Sequence, residues 1–144
     1  MTIFDEDPRW IDEFFKEIRG QSDRAAAVIG ASVLDELLRA VLTDFFVYDK
    51  KRLSALLGNS GPLGTFSSRI DVSFCLGLIS KQELDDLHII RGIRNDFAHK
   101  LIKTSFDEAP IKDKCLSLKL YKRVFKEKAT PRLAFEKAVN YLFR

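Results

Sequence analysis

The chain of 144 residues is long enough for one domain with one continuous core, and its 46% hydrophobic and 31% charged residues exclude a disordered protein. No apolar run reaches the roughly 18 residues of a membrane helix, and residues 1–10 lack the basic start and apolar run of a signal peptide, so we expect a cytoplasmic protein. The net charge of +3 is small but uneven: residues 1–99 carry 12 Lys and Arg against 16 Asp and Glu, a net of −4, whereas residues 100–144 carry 12 against 5, a net of +7.

The first two predicted helices are separated by Gly20. Asp7 followed by Pro8 is typical of an N-cap and a first helical position, so we expect the first helix to run from there to Gly20. Ser22 is expected to cap a second, long helix that continues to about Phe46.

The second helix is apolar on nearly every side. Helical spacing predicts a buried stripe of Ala26, Ile29, Val33, Leu37, Ala40 and Val41, and the opposite side is also apolar, with Ala25, Val28, Ala31, Leu34, Leu38 and Leu42. Such a helix lies at the centre of a fold or is buried against a second copy, and we therefore expect a homo-oligomer. Gly30 in its middle predicts a close crossing with another helix.

The rest of the chain continues the helical pattern. In order, it predicts a helix over 51–57, a glycine-rich loop over 58–64, a helix over 65–79, a helix from Ser80 to about Lys103 that opens with a Ser-x-x-Glu capping box, a polar loop over 105–114, and a last helix from Thr130-Pro131. The stretch 114–128 alternates like a strand at first and then suits a helix. We expect an all-α protein, a single-domain bundle of about six helices over 1–144 with little sheet.

Three of the predicted helices carry opposite charges that could meet. We predict an interior charged network or partner site made of Asp35, Glu36, Arg39, Arg69, Asp71, Arg94, Asp96 and His99. Arg94 falls within an apolar stripe that includes Leu84, Leu87, Ile90, Phe97 and Leu101. A guanidinium there needs a carboxylate or a phosphate, so one interpretation is an ion pair from Arg94 to Asp35, Glu36 or Asp71.

The other interpretation of the same segment is catalytic. The Arg94-x4-His99 spacing, with Asn95 after the arginine, resembles the signature of HEPN-domain ribonucleases. That resemblance implies metal-independent RNA cleavage in a site built from two copies. His99 would take the proton of a ribose 2′-hydroxyl and Arg94 would stabilise the developing phosphorane.

Other chemistry finds little support in the sequence. His88 and His99 lie eleven residues apart, no further metal-ligand cluster is present, and the loop 58–64 lacks the Gly-Lys-Ser/Thr ending of a phosphate-binding loop. Cys75 and Cys115 are expected to be reduced core thiols. We expect no metal and no cofactor, and we favour a regulator over an enzyme.

Three blocks of sequence, 24–39, 57–71 and 93–99, resemble the mannitol operon repressor family. The resemblance is clearest over 20–100. It implies an all-helical domain linked to transcriptional repression of sugar-alcohol uptake genes.

The sequence itself shows no recognisable DNA-binding motif. The helix over 65–79 has only Arg69 as a base, which is poor for reading a groove. The basic region 112–144 is a solvated face, a surface that docks on an acidic part of a second copy, or a site of direct DNA or RNA binding. We predict a regulator that binds a protein partner, such as another DNA-binding regulator.

Overall fold

The computed structural model describes residues 9–125 and 128–143. These residues form seven α-helices and one short 3-10 helix, with no strand in the described ranges, which confirms the all-α prediction. In chain order they are α1 (Arg9–Arg19), α2 (Asp23–Phe45), α3 (Lys50–Leu57), α4 (Phe66–Cys75), α5 (Lys81–His99), α6 (Ile111–Ser117), the 3-10 helix (Leu120–Arg123) and α7 (Pro131–Phe143). Among these helices none has the length and apolar character needed to cross a bilayer.

The helix caps predicted from local sequence are present. Ser22 Oγ accepts from the amide of Ala25 at 3.2 Å. Ser80 and Glu83 form the complete capping box, with bonds of 3.1 and 2.6 Å between each side chain and the other's amide. Thr65 is the residue that caps α4. The predicted cap at Asp7 and Pro8 lies outside the described residues.

Helix α2 is the centre of the fold, as predicted, but the buried side is not the predicted stripe. It packs against α1, α4, α5 and α7. The fully buried positions are Ala26, Ala27, Gly30, Ala31, Leu34, Leu38 and Leu42, whereas Ile29, Val33, Leu37, Ala40 and Val41 are half-buried. Four of these seven positions are Gly or Ala, which lets the neighbouring helices approach closely.

Gly30 shows how close this approach is. A methyl group added there would lie 3.0 Å from Cε1 of Phe135 and 3.3 Å from Cγ2 of Val139, both on α7. The predicted close crossing at Gly30 is therefore confirmed. Phe135 belongs to an aromatic cluster: its ring centroid lies 5.2 Å from that of Phe106, which in turn lies 5.0 Å from that of Phe97 in an edge-on arrangement. A second, smaller cluster joins the end of α2 to α3 and the following loop, through Leu42, Leu53, Leu57 and Leu63.

Three local predictions are wrong. Helix α5 ends at His99 rather than near Lys103, which leaves Leu101 exposed instead of in the apolar stripe. The segment from 111 to 123 forms α6 and the 3-10 helix, part of which was expected to be loop. Cys75 is exposed, because it lies at the end of α4, whereas Cys115 is buried as predicted.

Candidate interaction surface

The end of α5 is fixed by an arginine from the start of α2. Arg24 donates from Nη1 to the carbonyl of Phe97 at 2.6 Å and from Nη2 to that of Lys100 at 2.9 Å. Carbonyls at a helix C-terminus have no partner within the helix, and a cation is favoured there by the helix dipole. The Arg24 guanidinium therefore donates to carbonyls at the end of α5 that amides of a further helical turn would otherwise bond. Lys100 takes an extended conformation, and Lys103 has a φ of 52°.

The turn held by Arg24 exposes two large aliphatic side chains. Leu101 and Ile102 are 84% and 80% exposed. His99, Lys100 and Lys103, all exposed, stand beside them in the chain. We call this set the α5 corner. It combines an apolar centre with a basic rim, and that combination is typical of protein interfaces, whose centres are apolar and whose rims are polar.

Arg94 and His99 both lie at the surface. Arg94 donates to Oδ1 of its neighbour Asn95 at 3.0 Å, and the side chain of His99 has no hydrogen bond within the described residues. The predicted ion pair from Arg94 to a carboxylate on α2 or α4 is therefore wrong. Positions five apart on an α-helix point in directions that differ by about 140°. Within one chain Arg94 and His99 therefore diverge.

The carboxylate of Asp35 pairs with Arg69 instead. Arg69 is buried, with its side chain only 6% exposed, and reaches Asp35 Oδ1 at 2.8 Å. The same guanidinium donates to the carbonyls of Leu57 at 2.7 Å and Leu63 at 2.9 Å. It joins α2, the end of α3 and the glycine-rich loop to α4. Arg69 thus holds the fold together rather than facing a ligand.

The rest of the predicted charged set is divided among separate pairs. Glu36 bonds Arg39 within α2 at 3.3 Å, and Asp96 bonds Lys114 of α6 at 2.6 Å. Asp71 bonds Nε2 of His88 at 2.7 Å, and Arg91 Nε lies 3.3 Å from the other ring nitrogen. The structure brings Asp35 and Arg69 together across helices but does not join all eight predicted residues into one network.

Two important charged residues were not predicted from the sequence. Asp86 is fully buried, and its carboxylate accepts from the amides of Lys119 and Leu120 at the start of the 3-10 helix. The sequence does contain a signal for this role, because Asp86 is an acid at a helical position that faces the core. Arg132 bonds Asp23 at 2.7 Å and Glu136 at 3.0 Å, and it also donates to carbonyls at the end of α1. No sequence pattern indicates that role.

The two cysteines differ in exposure, since Cys75 is exposed and Cys115 is buried. Burial, and to a smaller degree the negative charge of Asp23, raises the pKa of Cys115 from 9.0 to about 12. Its thiol therefore stays protonated and unreactive near neutral pH. No group of three or more His, Cys, Asp or Glu side chains in the described ranges is arranged to hold a metal ion.

Comparison of the sequence with known proteins identifies a family and two curated relatives. The family model for the mannitol repressor, MtlR, matches residues 17–140. The mannitol operon repressors of Escherichia coli K12 and of Escherichia coli O6:H1 strain CFT073 are each 27% identical to this chain over 84 residues. The match covers 56% of this chain and 43% of each relative, so it spans less than half the length of these curated relatives.

A solved structure shares the fold over almost the whole chain. It is the X-ray structure of the MtlR-HPr complex from Escherichia coli, with a TM-score of 0.74, 17% identity, and coverage of 94% of this chain and 96% of that chain. At this identity the likeness shows the fold alone. The family model covers well over half of the sequence, and the chain belongs to the mannitol repressor family.

Proposed function

We propose that this chain is a regulator of transcription that acts by binding a protein partner, and that the α5 corner is part of the binding surface. The observation that carries the proposal is the exposure of Leu101 and Ile102 on a turn that Arg24 holds in place. Two exposed aliphatic side chains on an ordered turn lose little conformational entropy when a partner covers them.

The chemistry of the corner favours a protein over a nucleic acid. A surface that binds phosphates gains its affinity from cations, and large aliphatic side chains at its centre add nothing to that. A protein partner would cover Leu101 and Ile102 and would pair acidic or polar groups with Lys100 and Lys103. We therefore expect the partner to present an apolar spot with acidic residues around it.

The relative of the same fold supports HPr, or a protein like it, as this partner. That relative was solved as an MtlR-HPr complex, and the curated relatives are named as mannitol operon repressors. We infer that this chain represses transcription through a complex with another protein.

Isothermal titration of the purified chain with HPr tests the proposal. We expect one HPr molecule to bind each chain. The affinity should fall as the salt concentration is raised, because the rim of the α5 corner is basic. Leu101→Asp combined with Ile102→Asp is expected to weaken binding about tenfold or more. Val47→Asp is the matched control, since Val47 is 89% exposed at another corner. No binding of HPr, or an equal loss in the control, would contradict the proposal.

A HEPN-like ribonuclease is the alternative function. The observation that favours it is that Arg94 and His99 are both exposed and have no carboxylate partner in the described part of the chain. Because the two side chains diverge within one chain, a catalytic site would need a second copy. Cleavage of RNA in EDTA by the purified chain, abolished by His99→Ala and by Arg94→Ala, would establish this activity, and absence of cleavage would exclude it.

A further inference from the structure

The turn at the α5 corner, residues 100–106, has few hydrogen bonds of its own. The amides of residues 101–105 donate to no acceptor within the described part of the chain. Among those residues the Thr104 hydroxyl alone donates within the turn, to the carbonyls of Lys100 at 3.1 Å and Ile102 at 3.4 Å. The shape of the turn therefore depends on residues outside it.

Two adjacent residues at the start of α2 hold the two ends of this turn. Arg24 holds the beginning, through the carbonyls of Phe97 and Lys100. Asp23 holds the other end, because its Oδ2 accepts from the amide of Phe106 at 3.1 Å. The Phe106 ring is buried in the aromatic cluster, which fixes where this residue lies, and the bond to its amide fixes the direction from which the turn reaches it. Both ends of the turn thus depend on the first turn of α2.

Asp23 is in turn oriented by Arg132 of α7. Its second oxygen, Oδ1, accepts from Nη1 of Arg132 at 2.7 Å, so both carboxylate oxygens are engaged and the group cannot rotate without losing a bond. Arg132 is itself fixed by Glu136 at 3.0 Å. The same guanidinium donates to three carbonyls at and just after the end of α1, those of Ile18, Arg19 and Gln21. Hydrogen bonds between ionised groups are the strong ones, so this pair sets the orientation of Asp23.

We propose that the ion pair of Asp23 and Arg132 positions the α5 corner for its protein partner, although the pair lies outside that corner. Arg132 orients Asp23, and Asp23 fixes the end of the turn on which Leu101 and Ile102 stand. A surface that is competent to bind for only part of the time has its affinity reduced by that fraction. The inference rests on the proposed function, because the α5 corner is the surface that the pair positions.

Amide hydrogen exchange of the free chain, followed by NMR, tests the positioning step without a partner. Asp23→Ala removes the acceptor, so the Phe106 amide is expected to exchange about tenfold faster or more. Arg132→Gln should raise its exchange less, because the carboxylate keeps its bond to the amide but loses its orientation. The amide of Ile90, in the buried part of α5, reports global unfolding and should change less than that of Phe106 in both variants.

Arg19→Gln is the matched control for charge in this experiment. Arg19 is exposed at the end of α1, its side chain forms no ion pair in the described ranges, and its backbone carbonyl is retained in the variant. It should leave the exchange of the Phe106 amide unchanged. Exchange at Phe106 that is no faster in Asp23→Ala and Arg132→Gln than in Arg19→Gln would overturn the proposal. An equal change at Ile90 and Phe106 would also overturn it, because the pair would then only stabilise the fold.

Isothermal titration with HPr tests the consequence for binding. Asp23→Ala and Arg132→Gln are each expected to raise the dissociation constant about threefold to tenfold, which corresponds to a turn that is competent for about a third to a tenth of the time. The two variants change the net charge in opposite directions, so an effect of charge alone would have opposite signs in them, whereas a loss of positioning weakens binding in both. Arg132→Lys keeps a cation that can pair with Asp23 and should recover part of the affinity. Unchanged affinity in both variants would overturn the proposal.

A double-mutant cycle shows whether the pair acts through the turn. Leu101→Ala combined with Ile102→Ala removes the aliphatic side chains that the turn presents, and in that background Arg132→Gln should weaken binding by about twofold or less. A general loss of folded protein would instead lower the affinity by the same factor in both backgrounds, and equal factors would overturn the proposal.

Two further results separate the possible failures. If circular dichroism shows that Arg132→Gln does not fold, Asp23→Ala takes its place in the cycle, since Arg132 then keeps Glu136 and the three carbonyls. Absence of HPr binding to the unaltered chain would refute the proposed function, whereas unchanged exchange of the Phe106 amide would refute the positioning. The two failures are therefore distinguishable.

Discussion

Removing the Arg69 guanidinium is expected to destabilise the fold more than any exposed charge substitution. Arg69→Met retains most of the side-chain volume but removes three hydrogen bonds, those to Asp35 and to the carbonyls of Leu57 and Leu63. Asp35 is partly exposed and can be rehydrated, whereas the carbonyls receive no replacement donor from methionine. Leaving a buried acceptor unpaired costs about 1–3 kcal/mol, and removing one member of a buried ion pair costs about 3–5 kcal/mol in all.

Urea and thermal unfolding followed by circular dichroism measure this loss. For a chain of this length about 3–5 kcal/mol lowers the melting temperature by roughly 6–20 °C. Arg39→Met is the matched control, since the Arg39–Glu36 pair is exposed and is expected to contribute less than about 1 kcal/mol. Arg69→Lys should not rescue the fold, because an ammonium lacks the planar fork that reaches three acceptors. If Arg69→Met costs no more than Arg39→Met, the assignment of Arg69 as the link between α2, α3 and α4 is wrong.

Three further substitutions or reactions test the packing. Gly30→Ala should destabilise the protein by about 1–2 kcal/mol in urea unfolding, because overpacking against Phe135 outweighs the better helix propensity of alanine; a gain in stability would contradict the close crossing. Ser73→Ala should be neutral or stabilising by up to about 1 kcal/mol, since the buried Ser73 hydroxyl has no hydrogen-bond partner in the described part of the chain; a loss would show that the hydroxyl is satisfied. Iodoacetamide at pH 8, read by mass spectrometry, should modify Cys75 and leave Cys115 intact until the protein unfolds. Because burial raises the folded-state pKa of Cys115, its contribution to stability is complete below pH 9 and declines as the pH rises toward 12.

Features that depend on neighbouring residues could be predicted from the sequence. The capping box of Ser80 and Glu83 and the cap at Ser22 each lie within four residues, so their geometry follows from local spacing. The end of α5 could not be predicted in this way. It depends on Arg24, which is 73 residues from Phe97 in sequence, and only the folded chain brings the two together.

The same distinction explains the outcome for the candidate site. The sequence predicted Asp35 and Arg69 as members of one charged set, and in the structure they form an ion pair. It also placed Arg94 with the carboxylates, because Arg94 lies in an apolar stripe drawn on an ideal helix. In the structure the buried stripe runs through Ile90, Ile93 and Phe97, so it passes beside Arg94 and leaves that side chain in solvent. Which of two adjacent positions faces the core depends on where the neighbouring helices lie, and the periodicity of one helix does not fix that.

Amide hydrogen exchange of this chain with and without HPr tests the central claim most directly. The account predicts that HPr slows exchange over residues 98–104 and leaves the exchange of residues 44–52 unchanged. Protection confined to other surfaces, with exchange at the α5 corner unaffected, would contradict the claim that this corner binds the partner.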